Sequence, residues 1–299
     1  MKILITGGTG FIGQTLCPAL LSAGHTLIVY SRTPEKVNAT LGDQVTPLHS
    51  LQTLSESDHF DAIINLAGAP IFGGRWTDKR KQVLLHSRID ITQDLVQFIA
   101  RAQSKPKVFL SGSAIGFYGD QGDTILDETS AGLEDFGHQL CAEWEQEAEK
   151  VKQYGVRICL LRTGLVVGKN GGFLQPMILP FKLGLGGRLG NGKQWMPWIH
   201  IDDHVAICLE LLNNIELEGT FNLTAPNPVT NKVFAQTLAK TLHRPAFLPA
   251  PEWVLKPLLG EMSELLLGSQ RVMPKRILDA NYQFKFTKLE AALLKVLQD

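Results

Sequence analysis

The chain has 299 residues, and its 29 Lys and Arg are matched by 29 Asp and Glu, so the formal charge cancels. The apolar set AVILMFWYC makes up 44% and charged residues 19%, which is ordinary globular composition with enough apolar content for a large core. The zero balance argues against a protein whose main task is gripping nucleic acid or an anionic bilayer, because both rest on excess Lys and Arg. A local basic site stays open.

Cys17, Cys141, Cys159 and Cys208 lie far apart and form no C-x-x-C pair. They predict reduced, buried thiols in preference to a disulfide frame or a zinc site. No run approaches 18 uninterrupted apolar residues, so no membrane span is expected. The apolar run Ile3-Leu4-Ile5 ends at once in Thr6-Gly7-Gly8, so no secretory leader is expected either. The expectation is a soluble, cytoplasmic protein.

Strand-like and helix-like segments alternate through the first two-thirds of the chain. Short runs rich in β-branched residues recur at Lys2–Thr6, Thr26–Ser31, Ala62–Leu66, Lys107–Ser111 and Val156–Arg162. Between them, Ile12, Leu16, Ala19, Leu20 and Ala23 make one helical face before Gly24, and Leu84, Ile91, Leu95 and Phe98 make another. Leu140, Trp144 and Ala148 continue the pattern. Apolar strands separated by amphipathic helices predict an α/β fold, with a doubly wound parallel sheet covered on both faces. From about Gly168 the texture changes to a glycine-rich irregular stretch. Helix Asp202–Asn213, strand Thr220–Leu223 and a mostly helical tail follow, the tail with segments at Phe234–Leu242, Trp253–Leu259 and Leu289–Leu297. The predicted division is a Rossmann-type domain over 1–225, with 166–200 contributing to a substrate lobe, and a small helical C-terminal lobe over 226–299.

Lys2–Gly13 reads K-I-L-I-T-G-G-T-G-F-I-G, with Gly7, Gly10 and Gly13 spaced three apart. Glycines let the backbone turn sharply and approach a pyrophosphate seated on the N–H groups of a helix start. Here the motif follows a strand and opens an amphipathic helix, the context it requires. Gly7, Thr9, Gly10, Phe11, Ile12 and Gly13 are therefore candidate cofactor contacts. At the end of the second strand stands Ser31-Arg32. A free ribose 2′-OH would call for Asp or Glu there, whereas a 2′-phosphate calls for Arg, so Ser31 and Arg32 predict NADP over NAD. Arg88 falls on the apolar stripe of helix Thr77–Ala102. A guanidinium there needs an anionic partner, and a cofactor phosphate or a protein carboxylate would serve. Arg88 is a further candidate cofactor contact.

These residues resemble the short-chain dehydrogenase/reductase superfamily in its extended, nucleotide-sugar-epimerase-like form. The matching pieces are T-G-G-T-G-F-I-G (Thr6–Gly13), N-L-A-G (Asn65–Gly68), S-G-S-A-I-G-F-Y-G-D (Ser111–Asp120), R-T-G-L-V-V-G (Arg162–Gly168) and W-I-H-I-D-D-H (Trp198–His204). They cover about residues 1–225. R-W-T (Arg75–Thr77), Ser87-Arg88, P-W-I-H (Pro197–His200) and the helical tail resemble an atypical branch that carries a C-terminal extension of unknown function. The resemblance implies cofactor contacts at Leu66, Ala67 and Gly68 beside the adenosine and ribose, and at Val166 near the nicotinamide end.

The superfamily's Tyr-x-x-x-Lys proton-transfer pair is absent. Four residues beyond Tyr30, Tyr118, Tyr154 and Tyr282 stand Pro34, Gly122, Ile158 and Phe286. The best alignment puts Phe136 and Leu140 in its place, and neither side chain moves a proton. Ser113 matches the Ser/Thr that polarises the substrate oxygen, and Tyr118 is a candidate phenol from the adjoining loop, with a packing aromatic as its alternative. His138 and Glu143 flank the gap. Arg188, Lys193, Gln194 and Trp195 lie where the relatives hold substrate. His200-x-Asp202-Asp203-His204 is read as a strand leading into a helix capped by Asp202 or Asp203, and no metal is expected. The resulting expectation is an NADP-binding oxidoreductase or epimerase-like protein acting on a small carbonyl/alcohol or sugar-like substrate. Its alternative is a non-catalytic NADP(H) sensor or scaffold. Nucleic acid and membrane are not expected partners, and a homodimer is left open.

Overall fold

The computed structural model describes residues 1–72, 74–169 and 171–298. Strands β1 (Lys2–Thr6), β2 (Thr26–Tyr30), β3 (Val45–Leu48), β4 (Ala62–Asn65), β5 (Val108–Ala114), β6 (Arg157–Thr163) and β7 (Gly219–Leu223) form one parallel sheet. Their order is β7-β6-β5-β4-β1-β2-β3. Ile5 pairs with Val29 on one side and Ile64 on the other. The order reverses at β1, which opens a crevice at the carboxyl ends of β1 and β4.

Side chains alternate between two cores. Ile3, Ile5, Val29, Ile64, Leu110 and Leu161 face one, with Leu16 and Leu20 of helix α1 (Gly13–Ser22) and Val37 of α2 (Glu35–Leu41). Leu4, Ile28, Ile63, Phe109 and Leu160 face the other, with Leu95, Phe98 and Ile99 of α3 (Asp78–Arg101) and Ala148 of α4 (Phe136–Glu149). Both faces are thus covered, as all-apolar strands require. β3 is absent from the apolar runs expected from the sequence. It is a short edge strand, half exposed, and carries Pro47, which only an edge tolerates.

Helices α5 (Gln175–Lys182) and α6 (Ile201–Asn213) follow the sheet's sixth strand, and α7 (Asn231–Thr241) and α8 (Glu252–Leu259) follow the seventh. The cap of α6 differs from expectation. His200 is the N-cap, its Nδ1 accepting from the Asp202 amide at 3.1 Å. Asp203 is buried and accepts instead from the Lys285 and Phe286 amides and the Tyr282 hydroxyl, tying the tail to α6.

The tail folds back on the sheet. One apolar cluster joins Val167, Trp198 and Ala225 to Phe234, Leu238 and Leu293, across residue 225. Arg271–Val272 pairs with Ile125–Leu126, and Ile277 enters the core beneath the sheet. All four cysteines are buried and free. Among the described residues no helix is long and apolar enough to cross a membrane.

Candidate functional site

The crevice at the switch point opens into a cavity of about 560 Å³. Its first wall is the β1–α1 turn. Gly7 takes φ +73°, and a Cβ there would stand 2.5 Å from the Leu66 carbonyl oxygen. A Cβ on Gly13 would collide with the carbonyls of Gly7 and Gly8. α1 begins at Gly13 with no side-chain cap; the Gln14 amide is taken by the Gly10 carbonyl and those of Thr15 and Leu16 by the Ile12 carbonyl, and the turn Gly10–Gly13 that leads into the helix lines the cavity.

The second wall is the chain after β4. Thr6 Oγ1 donates to Asn65 Oδ1 at 2.6 Å and accepts from the Ala67 amide at 3.2 Å. Asn65 Nδ2 donates to Thr92 Oγ1, which also accepts from Trp144 Nε1. This buried network fixes Leu66–Gly68 and the Trp144 indole. The Arg88 guanidinium lies 5.4 Å from that indole ring and donates to the Leu84 and Ala69 carbonyls. It has no carboxylate partner among the described residues, and burial lowers its pKa. The guanidinium lines the cavity.

The floor comes from Ser113 at the end of β5. Its hydroxyl donates to Glu145 Oε1 at 2.5 Å. Glu145 in turn is held by both arms of Arg162, from Nε and Nη2 at 2.8 Å each. The remaining Arg162 nitrogen donates to Tyr118 Oη at 3.1 Å, and Tyr118 donates to Asn222 Oδ1 at 2.7 Å. Burial works to lower the Arg162 pKa, but the Glu145 carboxylate outweighs it and the net shift is upward.

Of the residues expected from the sequence, Gly7, Gly10, Phe11, Ile12, Gly13, Leu66, Gly68, Arg88, Ser113 and Val166 line the cavity together. Thr9, Ser31, Arg32 and Ala67 do not line it. Ser31 Oγ is engaged with the Thr33 backbone in a local turn, whereas Arg32 is exposed beyond β2 and forms no ion pair among the described residues. Of the two readings of Tyr118, its placement agrees with the packing aromatic and not with a phenol in the cavity. It is fully buried behind Ser113, away from the cavity, and burial pushes its pKa up to about 12. Its phenol is a structural donor. The Ser113 hydroxyl spends its proton on Glu145 and also lies within hydrogen-bond reach of the Cys141 thiol. Gln194 and Trp195 line the far wall, while Arg188 and Lys193 are exposed outside it. His138 Nδ1 pairs with the Phe117 carbonyl, and Glu143 pairs with Gln139.

Glu145 and Arg162 were not singled out in the sequence. The signal was present: an acid on the apolar stripe Cys141, Trp144, Glu145, Ala148 and an arginine inside an apolar strand each need a buried counter-charge. Leu265, Leu266, Gly268 and Gln270 of the tail close the cavity and carry no sequence signature of that role.

The model of the NAD dependent epimerase/dehydratase family matches residues 3–224, and that of a domain of unknown function, DUF1731, matches residues 250–296. The chain belongs to the NAD dependent epimerase/dehydratase family. Among family relatives, the epimerase family protein YfhF of Bacillus subtilis is 39% identical, over 100% of this chain and 99% of the relative. The crystal structure of human epimerase family protein SDR39U1 (isoform 2) with NADPH superposes with a TM-score of 0.91 at 35% identity, covering 100% of both chains. The nucleoside-diphosphate sugar epimerase from Corynebacterium glutamicum gives 0.79 at 28% identity, covering 99% of this chain and 58% of that one.

Within this epimerase-family frame, the positions aligned with the Tyr and Lys are apolar in fact as well as in sequence. Leu140 lines the cavity, and Phe136 packs edge-on against Trp76 at 5.0 Å. The titratable side chains lining the cavity among the described residues are Arg88 and Cys141. Burial pushes the Cys141 thiol up to about 12, so it stays protonated and inert near neutral pH.

Proposed function

We propose that this chain binds NADP(H) and works as an oxidoreductase or epimerase-like protein on a small carbonyl or alcohol compound. The observation that carries the reading is Arg88: a largely buried guanidinium, without a carboxylate, in one cavity with an uncapped helix start. Both call for an anion, and a dinucleotide pyrophosphate or phosphate supplies it. The residues present fit the group. Gly7–Gly13 would seat the pyrophosphate, Leu66, Ala67 and Gly68 would flank the ribose, Val166 would approach the nicotinamide, and exposed Arg32 would take the 2′-phosphate. Human SDR39U1, which the chain resembles over its whole length, is described with NADPH, and this supports the same cofactor here.

The bound cofactor supplies a hydride donor or acceptor. Ser113, with its own proton held by Glu145, accepts a hydrogen bond from a ligand hydroxyl and orients it. The four reduced, buried thiols fit a cytoplasmic setting.

A second reading, a non-catalytic protein that passes cofactor occupancy to a partner, is favoured by Phe136 and Leu140. Calorimetric binding of NADPH and NADH, followed by turnover across a panel of carbonyl compounds and nucleotide sugars, separates the two. Turnover above the protein-free rate is expected. Tight NADPH binding with no turnover would sink the enzymatic reading and leave the second.

A further inference from the structure

We propose that the cavity beyond Arg88 takes an uncharged, largely apolar alcohol, its hydroxyl directed to Ser113, and not a nucleotide sugar. This rests on the cofactor reading above and names the ligand class of that same site. The far wall is built from Trp76, Leu140, Leu265, Leu266, Trp195 and Met196. Trp76, Leu140 and Leu265 also belong to one apolar cluster anchored on Met262. Arg88 is the charged side chain of the lining among the described residues, and it sits on the cofactor side, where a Cβ on Gly68 would come within 2.8 Å of its Cζ. The cations nearest the far wall in sequence do not line it. Arg75 donates to the Leu258 and Pro257 carbonyls, Arg80 to the Pro70 carbonyl, Arg188 bonds the Asn191 carbonyl, Lys193 is exposed, and Arg271 stacks on the Trp195 ring at 4.5 Å.

A second diphosphate would therefore leave water for an apolar wall with no counter-charge, a transfer whose cost the wall cannot offset. A hydrocarbon body gains from the same transfer. The polar side chains of the lining are Ser113, Thr163, Gln194, Asn231 and Gln270; Thr163 is engaged with Leu161 and His204, and Asn231 with Leu189 and Met196. Gln194 spends its amide N–H groups on the Leu189 and Leu266 carbonyls, which leaves Oε1 as an acceptor. Ser113 spends its proton on Glu145 and likewise presents an acceptor. These acceptors, with the Gln270 amide that can donate as well as accept, match a ligand hydroxyl, the group that hydride chemistry would use.

The test uses the full chain with NADP+ and the uncharged fluorophore N-phenyl-1-naphthylamine. Saturable binding is expected, displaced by 1-decanol and untouched by UDP-glucose. Leu265→Asp should weaken the fluorophore and 1-decanol by at least about tenfold, while the calorimetric NADP+ affinity changes less than about twofold. Leu265→Trp, which narrows the same wall without a charge, should also weaken 1-decanol. Displacement by UDP-glucose overturns the proposal. So does fluorophore binding indifferent to both Leu265 variants, which would put it on the exposed apolar surface that carries Phe247 and Trp253. Loss of NADP+ binding with 1-decanol retained counts against the cofactor reading alone. NADP+ binding without 1-decanol binding counts against the apolar ligand alone.

Discussion

Ser113 Oγ stands 2.5 Å from Glu145 Oε1, and the proton between them belongs to the serine. Arg162 grips the same carboxylate with both arms. The Ser113 hydroxyl, which lines the cavity, thereby spends its proton within the protein. The Tyr118 phenol behind it completes the Arg162 shell and does not reach the cavity.

Breaking that pair carries the first prediction. Glu145→Gln leaves Arg162 buried with no counter-charge, so urea unfolding should show a loss of about 3–5 kcal/mol. Adding Arg162→Met to Glu145→Gln should recover part of the loss, because the stranded charge is then gone. A Glu145→Gln protein as stable as the parent would mean that the ion pair contributes nothing here.

The phosphate turn gives the second. Gly13→Ala drives a methyl group into the carbonyls of Gly7 and Gly8, so the turn must open. NADPH affinity, measured by calorimetry, should fall by at least about tenfold. The sheet core does not depend on this residue, so far-UV circular dichroism should be preserved.

At Gly13 the tight turn is legible in the sequence, because a backbone approach that close admits no side chain and only glycine writes that requirement into a sequence. The parallel sheet is legible for a similar reason, since Leu4 and Ile5 must be buried on opposite faces and the run has no polar alternation. β3 is hidden because an edge strand with Pro47 needs neither apolar continuity nor every ladder bond. For Glu145 and Arg162 the sequence shows that each needs a counter-charge, but they stand 17 residues apart, on a helix and a strand, and only the fold shows that they meet. Tyr118 shows the converse. A phenol five residues from Ser113 in sequence lies away from the cavity once Arg162 and Asn222 claim it.

Arg32 tests cofactor choice. It is exposed beyond β2 and forms no ion pair among the described residues, and the proposed cofactor reading gives it the 2′-phosphate. Arg32→Ala should weaken NADPH by about ten- to a hundredfold, the worth of a charge-assisted pair, and leave NADH unchanged. Equal affinity for NADPH and NADH in the parent protein would remove Arg32 from the site.

Arg88 separates a ligand role from a structural one. Arg88→Met keeps the stem's packing against Trp144 and removes a buried charge that has no carboxylate. Its lost bonds to the Leu84 and Ala69 carbonyls are offset by the desolvation relieved, so stability should stay within about 1 kcal/mol of the parent. NADPH affinity should fall by about tenfold or more. A large loss of stability with NADPH affinity intact would make Arg88 a strut of the Ala69 loop.

His204 makes the fold sensitive to acid. It is fully buried, with Nε2 3.1 Å from Thr163 Oγ1, and burial lowers its pKa from 6.5 to about 4. Between those values the unfolded chain binds a proton that the folded chain refuses, so folding stability rises with pH across the window. The contribution is complete above about pH 6.5 and is lost as pH falls toward 4, to an extent of about 3 kcal/mol. His204→Gln keeps a polar contact to Thr163 but does not titrate. Urea unfolding at pH 7 and pH 4 should therefore show the parent losing about 3 kcal/mol more than the variant. Parallel losses would place the protein's acid sensitivity on groups other than His204.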